Sequence, residues 1–471
     1  MKGLWLARLI PGLLIVAGSA FLYLWLGCDS GWYVTPRLPG HDGRPKNLTP
    51  QAQSPALSGK LEIIPHPEPV KPSSLPGSWP RFRGADFDAI SKDPVKVART
   101  WPAEGPKVLW SLEVGEGYAS PAIHAGWVYL IDYDRTAQAD AIRCFSLDNG
   151  AEAWRFSYPV KVKRNHGMSR TVPAVNDRYV VTMGPLCHVT CLDSASGQLK
   201  WFLDLVKDYG TKVPLWYAGQ CPMIDNDRAI LAPGGKALLM AVECETGKIV
   251  WQTPNPNKWE MTHSSIMPAV IGGVRQYVYC SGGGAVGVSA EDGKVLWEDS
   301  EWTVRTNVPS PVPLGDGRIF LTAGYNRGCR MIFVQKDGDG FVVQKLYELP
   351  AEEFGAEQQT PIWYRDHLFA IRAVDEQLVC MNPQGKVVWA SGSSVKFGLG
   401  PFAIADGLIF ALEDHGLLRL AEATTEGYIQ LAEAQVLTGR DAWGPMAFAS
   451  GRLIVRDETR MICLDVAEAK Q

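Results

Sequence analysis

Along most of the chain the hydrophobic positions come in short β-branched and aromatic runs, broken by Pro, Gly and Asp, and the runs recur at a fixed spacing. Eight of them open on a proline, at Ser120-Pro121-Ala122, Val172-Pro173-Ala174, Cys221-Pro222-Met223, Met267-Pro268-Ala269, Ser310-Pro311-Val312, Thr360-Pro361-Ile362, Gly400-Pro401-Phe402 and Gly444-Pro445-Met446. Pro121 to Pro445 spans 324 residues in seven intervals, about 46 each, a spacing that marks a repeat architecture. A turn residue follows each proline and precedes an apolar pair, as in Gly126 before Val128-Tyr129 and Asp406-Gly407 before Ile409-Phe410. Proline has no N–H to give a ladder, so it suits a strand's first residue or an edge. Each unit therefore opens with a strand at the proline, turns at the Asp or Gly, and starts a second strand at the apolar pair.

A second pattern keeps step with the first. Gly150, Gly197, Gly247, Gly293 and Gly385 each precede a tryptophan by four residues: Trp154, Trp201, Trp251, Trp297 and Trp389. Upstream acids, as in Leu147-Asp148 and Leu192-Asp193, suit a tight turn whose glycine takes positive φ. That turn joins a third strand to a fourth carrying the tryptophan. Two units depart from the pattern: Leu431 follows Gly427 where Trp is expected, and the fifth has Tyr347 with no glycine in register.

Four antiparallel strands at this period predict an all-β fold, a β-propeller of eight blades. The chain ends agree. The eighth unit stops after Met461-Ile462-Cys463-Leu464-Asp465, whereas Lys107-Val108-Leu109-Trp110 precedes the first proline and repeats Lys294-Val295-Leu296-Trp297. This unpaired strand is expected to complete the last blade and close the ring, which removes open edges. The ring takes residues 79–466, with 467–471 as a tail.

Composition changes little. With 471 residues, 46% hydrophobic, the chain can bury a large core, and 46 basic against 50 acidic residues leave a net charge of −4. No Lys/Arg-rich run supports a nucleic-acid partner. Residues 1–27 hold the only membrane signal: Lys2 and Arg8, then about 18 uncharged residues, Leu9 to Leu26, near the minimum that spans a bilayer. The positive flank predicts a single-pass anchor in the cytoplasmic membrane, with the ring on the periplasmic side. A cleaved signal peptide and lipidation at Cys28, after Trp25-Leu26-Gly27, are the alternatives. Residues 28–78, rich in proline, read as an extended tether. Trp79-Pro80-Arg81-Phe82-Arg83-Gly84 then reads as a lead-in that docks on the ring.

Ten cysteines include no C-x-x-C pair. Cys144, Cys191 and Cys463 fall at equivalent third-strand positions, where a cysteine acts as a small buried hydrophobe. Cys187 and Cys191, placed on facing strands, are the one candidate disulfide. No zinc site is expected. Catalytic motifs are missing too, and Pro233-Gly234-Gly235 and Ser281-Gly282-Gly283-Gly284 fall where hairpins belong.

The candidate chemistry is the ring's mouth. Loops entering the first strands converge on the axis and bring Tyr118, Arg170, Trp216, Gln220, His263, Arg305, Asn307, Gln358, Gln359, Lys396, Asp441 and Trp443 to one concavity. Convergent polar and aromatic groups in a concavity are what a binding site offers. Up to three cations against one acid favour an anionic ligand. The bland alternative is that these side chains solvate the mouth and cap strand ends.

The repeated Gly-x-x-x-Trp turn, with Trp110, Trp154, Trp201, Trp251, Trp297 and Trp389 as docking residues, resembles the tryptophan-docking motif of quinoprotein dehydrogenases and their PQQ-like propeller relatives, the BamB family among them. Trp79-Pro80-Arg81-Phe82-Arg83-Gly84 is similar to the W-P-x-F-R-G opening of many bacterial PQQ-like repeat proteins. The resemblance covers residues 79–466 and implies the fold more sharply than the function. It offers two functions. One is a non-catalytic, membrane-tethered scaffold of the bacterial envelope, without a cofactor, whose partner is another envelope protein or a small anionic ligand at the mouth. The other is a PQQ- and calcium-dependent alcohol or sugar dehydrogenase. As the resemblance implies it, that chemistry needs carboxylate and amide ligands on calcium, an acidic base, and in many members adjacent cysteines. Here no two cysteines adjoin, Asp441 is the one acid among the mouth positions, and no C-x-x-C-H for haem is present. The scaffold is the expected function.

Overall fold

The computed structural model describes residues 16–20, 23 and 59–469. Residues 16–20 and 23 are helical, and among the described residues no helix is long and apolar enough to cross a membrane. The rest of the 1–27 segment, on which the anchor expectation falls, and Cys28 lie outside the described residues.

Residues 107–465 form eight antiparallel sheets of four meandering strands. The expected closure is there. Lys107–Glu113 pairs with Arg460–Asp465 and completes the eighth blade, with Trp110 opposite Cys463. First strands of blades 8 and 1, 1 and 2, 2 and 3, and 4 and 5 touch one another, so the first strands line the axis. The apolar clusters lie in the seams between blades; one joins Tyr179, Cys191 and Trp201 of blade 2 to Ile224, Met240 and Val242 of blade 3.

Chain register explains the seams. Five rings pack under the turn glycine of the following blade: Trp110 under Gly150, Trp154 under Gly197, Trp201 under Gly247, Trp251 under Gly293 and Tyr347 under Gly385. These five glycines have φ between 71° and 85°, and a β-carbon on any of them would run into the ring. Opposite the ring sits a third-strand residue that is often small: Cys144, Cys191, Ala241, Gly287, Cys380 and Cys463. The repeat-equivalent cysteines are therefore buried floor for the indole. All nine described cysteines are buried. Cys187 lies in the turn just before the strand His188–Asp193 that holds Cys191, and its sulfur is 3.9 Å from that of Met261, so the two do not face each other.

Three details differ from the sequence expectation. Ala432, not Leu431, faces Leu420 in the tryptophan position of blade 7, and Gly427 is not a positive-φ turn glycine. Pro268 sits inside its strand, paired with Tyr277, and Ile266 takes the place held by Pro121 in blade 1. Residues 59–78, assigned by composition to the tether, lie against blade 1. Lys60–Ile63 adds a fifth, outermost strand to Glu152–Pro159, and Ser73 bonds to the Gly126 carbonyl and the Asp148 carboxylate.

The lead-in does more than dock. Trp79 bridges Ile123 of blade 1, the Val175 N–H donates to the Pro80 carbonyl, and Ile90–Ser91 runs parallel to the first strand of blade 7. Phe87 packs into the cluster of blades 3 and 4. Arg83, buried, gives its guanidinium to the carbonyls of Phe87, Asp88, Thr360 and Pro361. The bonded partners outside the lead-in, Ile123, Val175, Ile404, Thr360 and Pro361, each belong to a first strand or its entry, so residues 79–91 fill the axial channel from the face of the first hairpins.

Candidate functional site

The opposite face carries the loops that enter each first strand. A chain of backbone-to-side-chain bonds links their last residues around part of the ring. Val172 N–H donates to the Cys221 sulfur, Cys221 N–H to Ser265 Oγ at 3.0 Å, Ser265 N–H to Ser310 Oγ at 2.9 Å, and Ser310 N–H to Thr360 Oγ1 at 2.9 Å. Hydroxyl and thiol side chains at this position thus hold neighbouring blades in register at the rim of the mouth.

Further out along the same loops the side chains turn toward the axis, and six of the expected residues come together there. Tyr118 packs, tilted, against Trp443 at 5.0 Å and donates its hydroxyl to Asp441 Oδ2 at 3.1 Å. The Arg170 guanidinium lies 4.8 Å over the Tyr118 ring and donates to the carbonyls of Trp216 and Gly167. Trp216 in turn packs against His263 at 6.1 Å and Tyr325 at 5.8 Å. An aromatic and guanidinium belt thus crosses the mouth from blade 8 to blade 5.

Trp216 and Tyr217 both hold positive φ, 63° and 75°. Such a backbone is costly for bulky residues and persists only where the surroundings impose it. Here Arg170 grips the Trp216 carbonyl and Tyr217 donates its hydroxyl to the Lys163 carbonyl. His263 is buried, and burial, with Arg170 beside it, pushes its pKa down to about 3. Its ring is neutral at physiological pH, with Nε2 lacking a partner.

The remaining expected residues stay out of the belt. Gln220 is fully buried one position nearer its strand, where it pairs with Ala232 and Tyr279. Asn307 is equally buried, held by Trp302 and the Pro309 carbonyl. Arg305 is exposed, Gln358 is half-buried, and Lys396 is exposed and paired with Glu376 at 3.3 Å. Gln359 donates to the Leu399 and Trp443 carbonyls.

Sequence reasoning also missed groups. In a meander the second-to-third hairpins share a face with the entry loops, and they bring Tyr325, Glu376, Asp414 and Glu458 to the mouth. Trp443 Nε1 and the Leu399 N–H both donate to Asp414 Oδ1. Glu458 lies against Glu116, and burial together with that like charge raises its pKa to about 7. Arg135 and Arg164 hold the Glu116 carboxylate. The excess of cations expected from the entry loops is thereby cancelled.

Calcium does not fit this donor set. It requires several oxygen ligands at one point, yet the carboxylates of Asp441, Asp414 and Glu116 each accept from protein donors. Among the described residues no three His, Cys, Asp or Glu side chains could hold a metal ion. On the far face a cavity of about 550 Å³ lies between blades 6 and 7, lined by Ser91, Lys92, Tyr364, Arg365 and Asp406 among others, and it contains none of the expected site residues.

Residues 138–340 match the family described as outer membrane protein assembly factor BamB. Among solved structures, BamB from Moraxella catarrhalis superposes with a TM-score of 0.51 at 12% identity, covering 76% of this chain and 99% of its own. Quinohemoprotein alcohol dehydrogenase from Comamonas testosteroni gives 0.60 at 11% identity, covering 84% and 81%. The computationally designed Ika8 protein gives 0.51 at 9% identity, covering 76% and 99%. At these identities the likeness is one of fold. No curated protein matches the sequence.

Proposed function

We propose that this PQQ-like β-propeller is a non-catalytic scaffold of the bacterial envelope, held at the cytoplasmic membrane by residues 1–27 and presenting its mouth to a protein partner on the periplasmic side. The observation that carries this reading is the mutual saturation of the mouth. Its carboxylates, its Arg170 and its aromatic rings are engaged with one another, which leaves a shaped, rigid surface and no oxygen cage for calcium. A preorganised aromatic and arginine surface is what protein recognition uses. The match to the family described as an outer membrane protein assembly factor agrees with it.

The test is a titration of the detergent-solubilised full chain with PQQ and calcium, followed by thermal melting and tryptophan fluorescence. No shift is expected. Saturable stabilisation that disappears in Asp441→Ala or Arg305→Ala would replace the scaffold with a quinoprotein enzyme. In parallel, crosslinking from Trp216 and Tyr325 positions in intact cells is expected to trap one reproducible envelope protein. Membrane association is expected to survive Cys28→Ser; release of the variant would make the anchor a lipid instead.

A further inference from the structure

Behind the rim, in the seam between blades 1 and 2, four polar side-chain atoms are buried without hydrogen-bond partners: both carboxyl oxygens of Asp140, the Tyr158 hydroxyl and His188 Nδ1. Asp140 has no exposed surface. It lies opposite Tyr158 in blade 1's third and fourth strands and points at blade 2, where a β-carbon on Gly184 would strike its carboxyl group and come within 2.8 Å of the Tyr158 hydroxyl. His188 opens blade 2's third strand, with its ring 5.9 Å from that of Tyr158 and its Nε2 3.8 Å from Asp204 Oδ2. Asp204 is spoken for on its other side, where it caps the short helix Leu205–Tyr209 through the Lys207 N–H at 3.0 Å.

The hydrogen count of this seam does not close with an ionised Asp140. Its two oxygens would then have one donor nearby, the Tyr158 hydroxyl, and no ion pair. Because Nε2 faces Asp204, a neutral His188 presents Nδ1 as a second unpaired acceptor. The other charged group near Asp140 is Asp132 on the second strand, already paired with Arg143, and Tyr133 beside it gives its hydroxyl to the Val160 carbonyl. An unpaired charge at full burial is costly, whereas one added proton turns two acceptors into a donor and an acceptor.

We propose that the seam between blades 1 and 2 binds one proton, on the Asp140 carboxyl group, and that its loss loosens the blades at the mouth. Burial above all raises the Asp140 pKa, to about 7, with His188 and Tyr158 pulling the other way. The affected seam reaches the mouth by two routes. The Ala218 N–H donates to the Pro185 carbonyl, which ties the Trp216 loop to the turn holding Gly184. Tyr133, Asp140's cross-strand partner, holds the Val160–Val162 loop that leads to Arg170. The proposal stands apart from the scaffold reading, since it concerns the ring itself.

The sign follows from the direction of the shift. Asp140 binds its proton more tightly folded than unfolded, so its stabilising contribution is complete below about pH 4 and is lost as pH rises through about 7. The experiment compares the full chain with Asp140→Asn by chemical denaturation across that range. The folded-to-unfolded ratio of wild type relative to the variant is expected to fall by up to about tenfold per pH unit between pH 4 and 7 and then level off. Parallel curves would overturn the proposal. Infrared titration of the wild type covers the case of a variant that fails to fold: a buried protonated-carboxyl band that disappears near pH 7 is expected, and its absence at pH 6 refutes the assignment. If sodium or potassium, rather than pH, governs the difference between the proteins, a bound cation occupies the seam and the proton does not.

Discussion

Trp154 docks not on Gly150, the glycine four residues before it, but on Gly197, whose added β-carbon would lie 2.7 Å from the indole. The sequence motif is local, but the contact it makes is between blades. In five of the seams one unit supplies a ring to the next unit, and that unit returns a glycine.

Gly197→Ala is therefore expected to cost about 2 kcal/mol or more, from a strained positive φ and a ring with no room to retreat. Gly427→Ala, at a position with nothing within 4 Å, is expected to stay within about 0.5 kcal/mol of wild type. Chemical denaturation of both variants checks the contrast.

Trp110→Ala is expected to cost about 3–5 kcal/mol, the range for a large core truncation. The loss falls on the closing strand, so protease cleavage between 99 and 107 is expected to quicken before the rest of the ring becomes sensitive.

Arg83→Ala removes the donor to four carbonyls at the bottom of the channel, and a cost of about 3–5 kcal/mol is expected for breaking a buried charged network. Arg83→Lys should restore little, because an ammonium cannot reproduce the planar fork. Melting curves of the two variants that lie near wild type would show that the lead-in is dispensable.

His263 is expected to show no titration between pH 4 and 8 when its imidazole protons are followed by NMR. Its folded pKa of about 3 lies below the unfolded value of about 6.5. Its contribution to stability is thus complete above pH 6.5 and is lost as pH falls through 3, a slope that His263→Gln is expected to remove.

Much of this was legible in advance. Pro121, Pro173, Pro222, Pro311 and Pro361 each stand immediately before a first strand, and the Lys107–Trp110 stretch foretold the closure, because both follow from backbone rules that tertiary contacts do not override. The site was less legible. Gln220 and His263 looked equivalent, yet strand alternation turns the first into the blade and the second toward the axis. Asp414 and Glu458 escaped notice because they lie far from any proline, although a meander must return to the same face at every second turn. The Asp140–His188 seam had no sequence signal at all: it joins residues 48 positions apart that meet only when two blades pack.

The filling of the axis by residues 79–91 bears on what the ring can handle. A propeller open at both ends is a pore in outline, and something could thread it. This one is a cup. Whatever engages the mouth must enter and leave by the same side, and a mobile chain can be held at its tip but not passed through. The floor of the cup is also the segment that leads the chain into the ring. A pull on that segment from upstream would be felt first where Lys60–Ile63 and Ser73 hold blade 1, and would reach Trp79 and Arg83, beneath the mouth, once those contacts gave way.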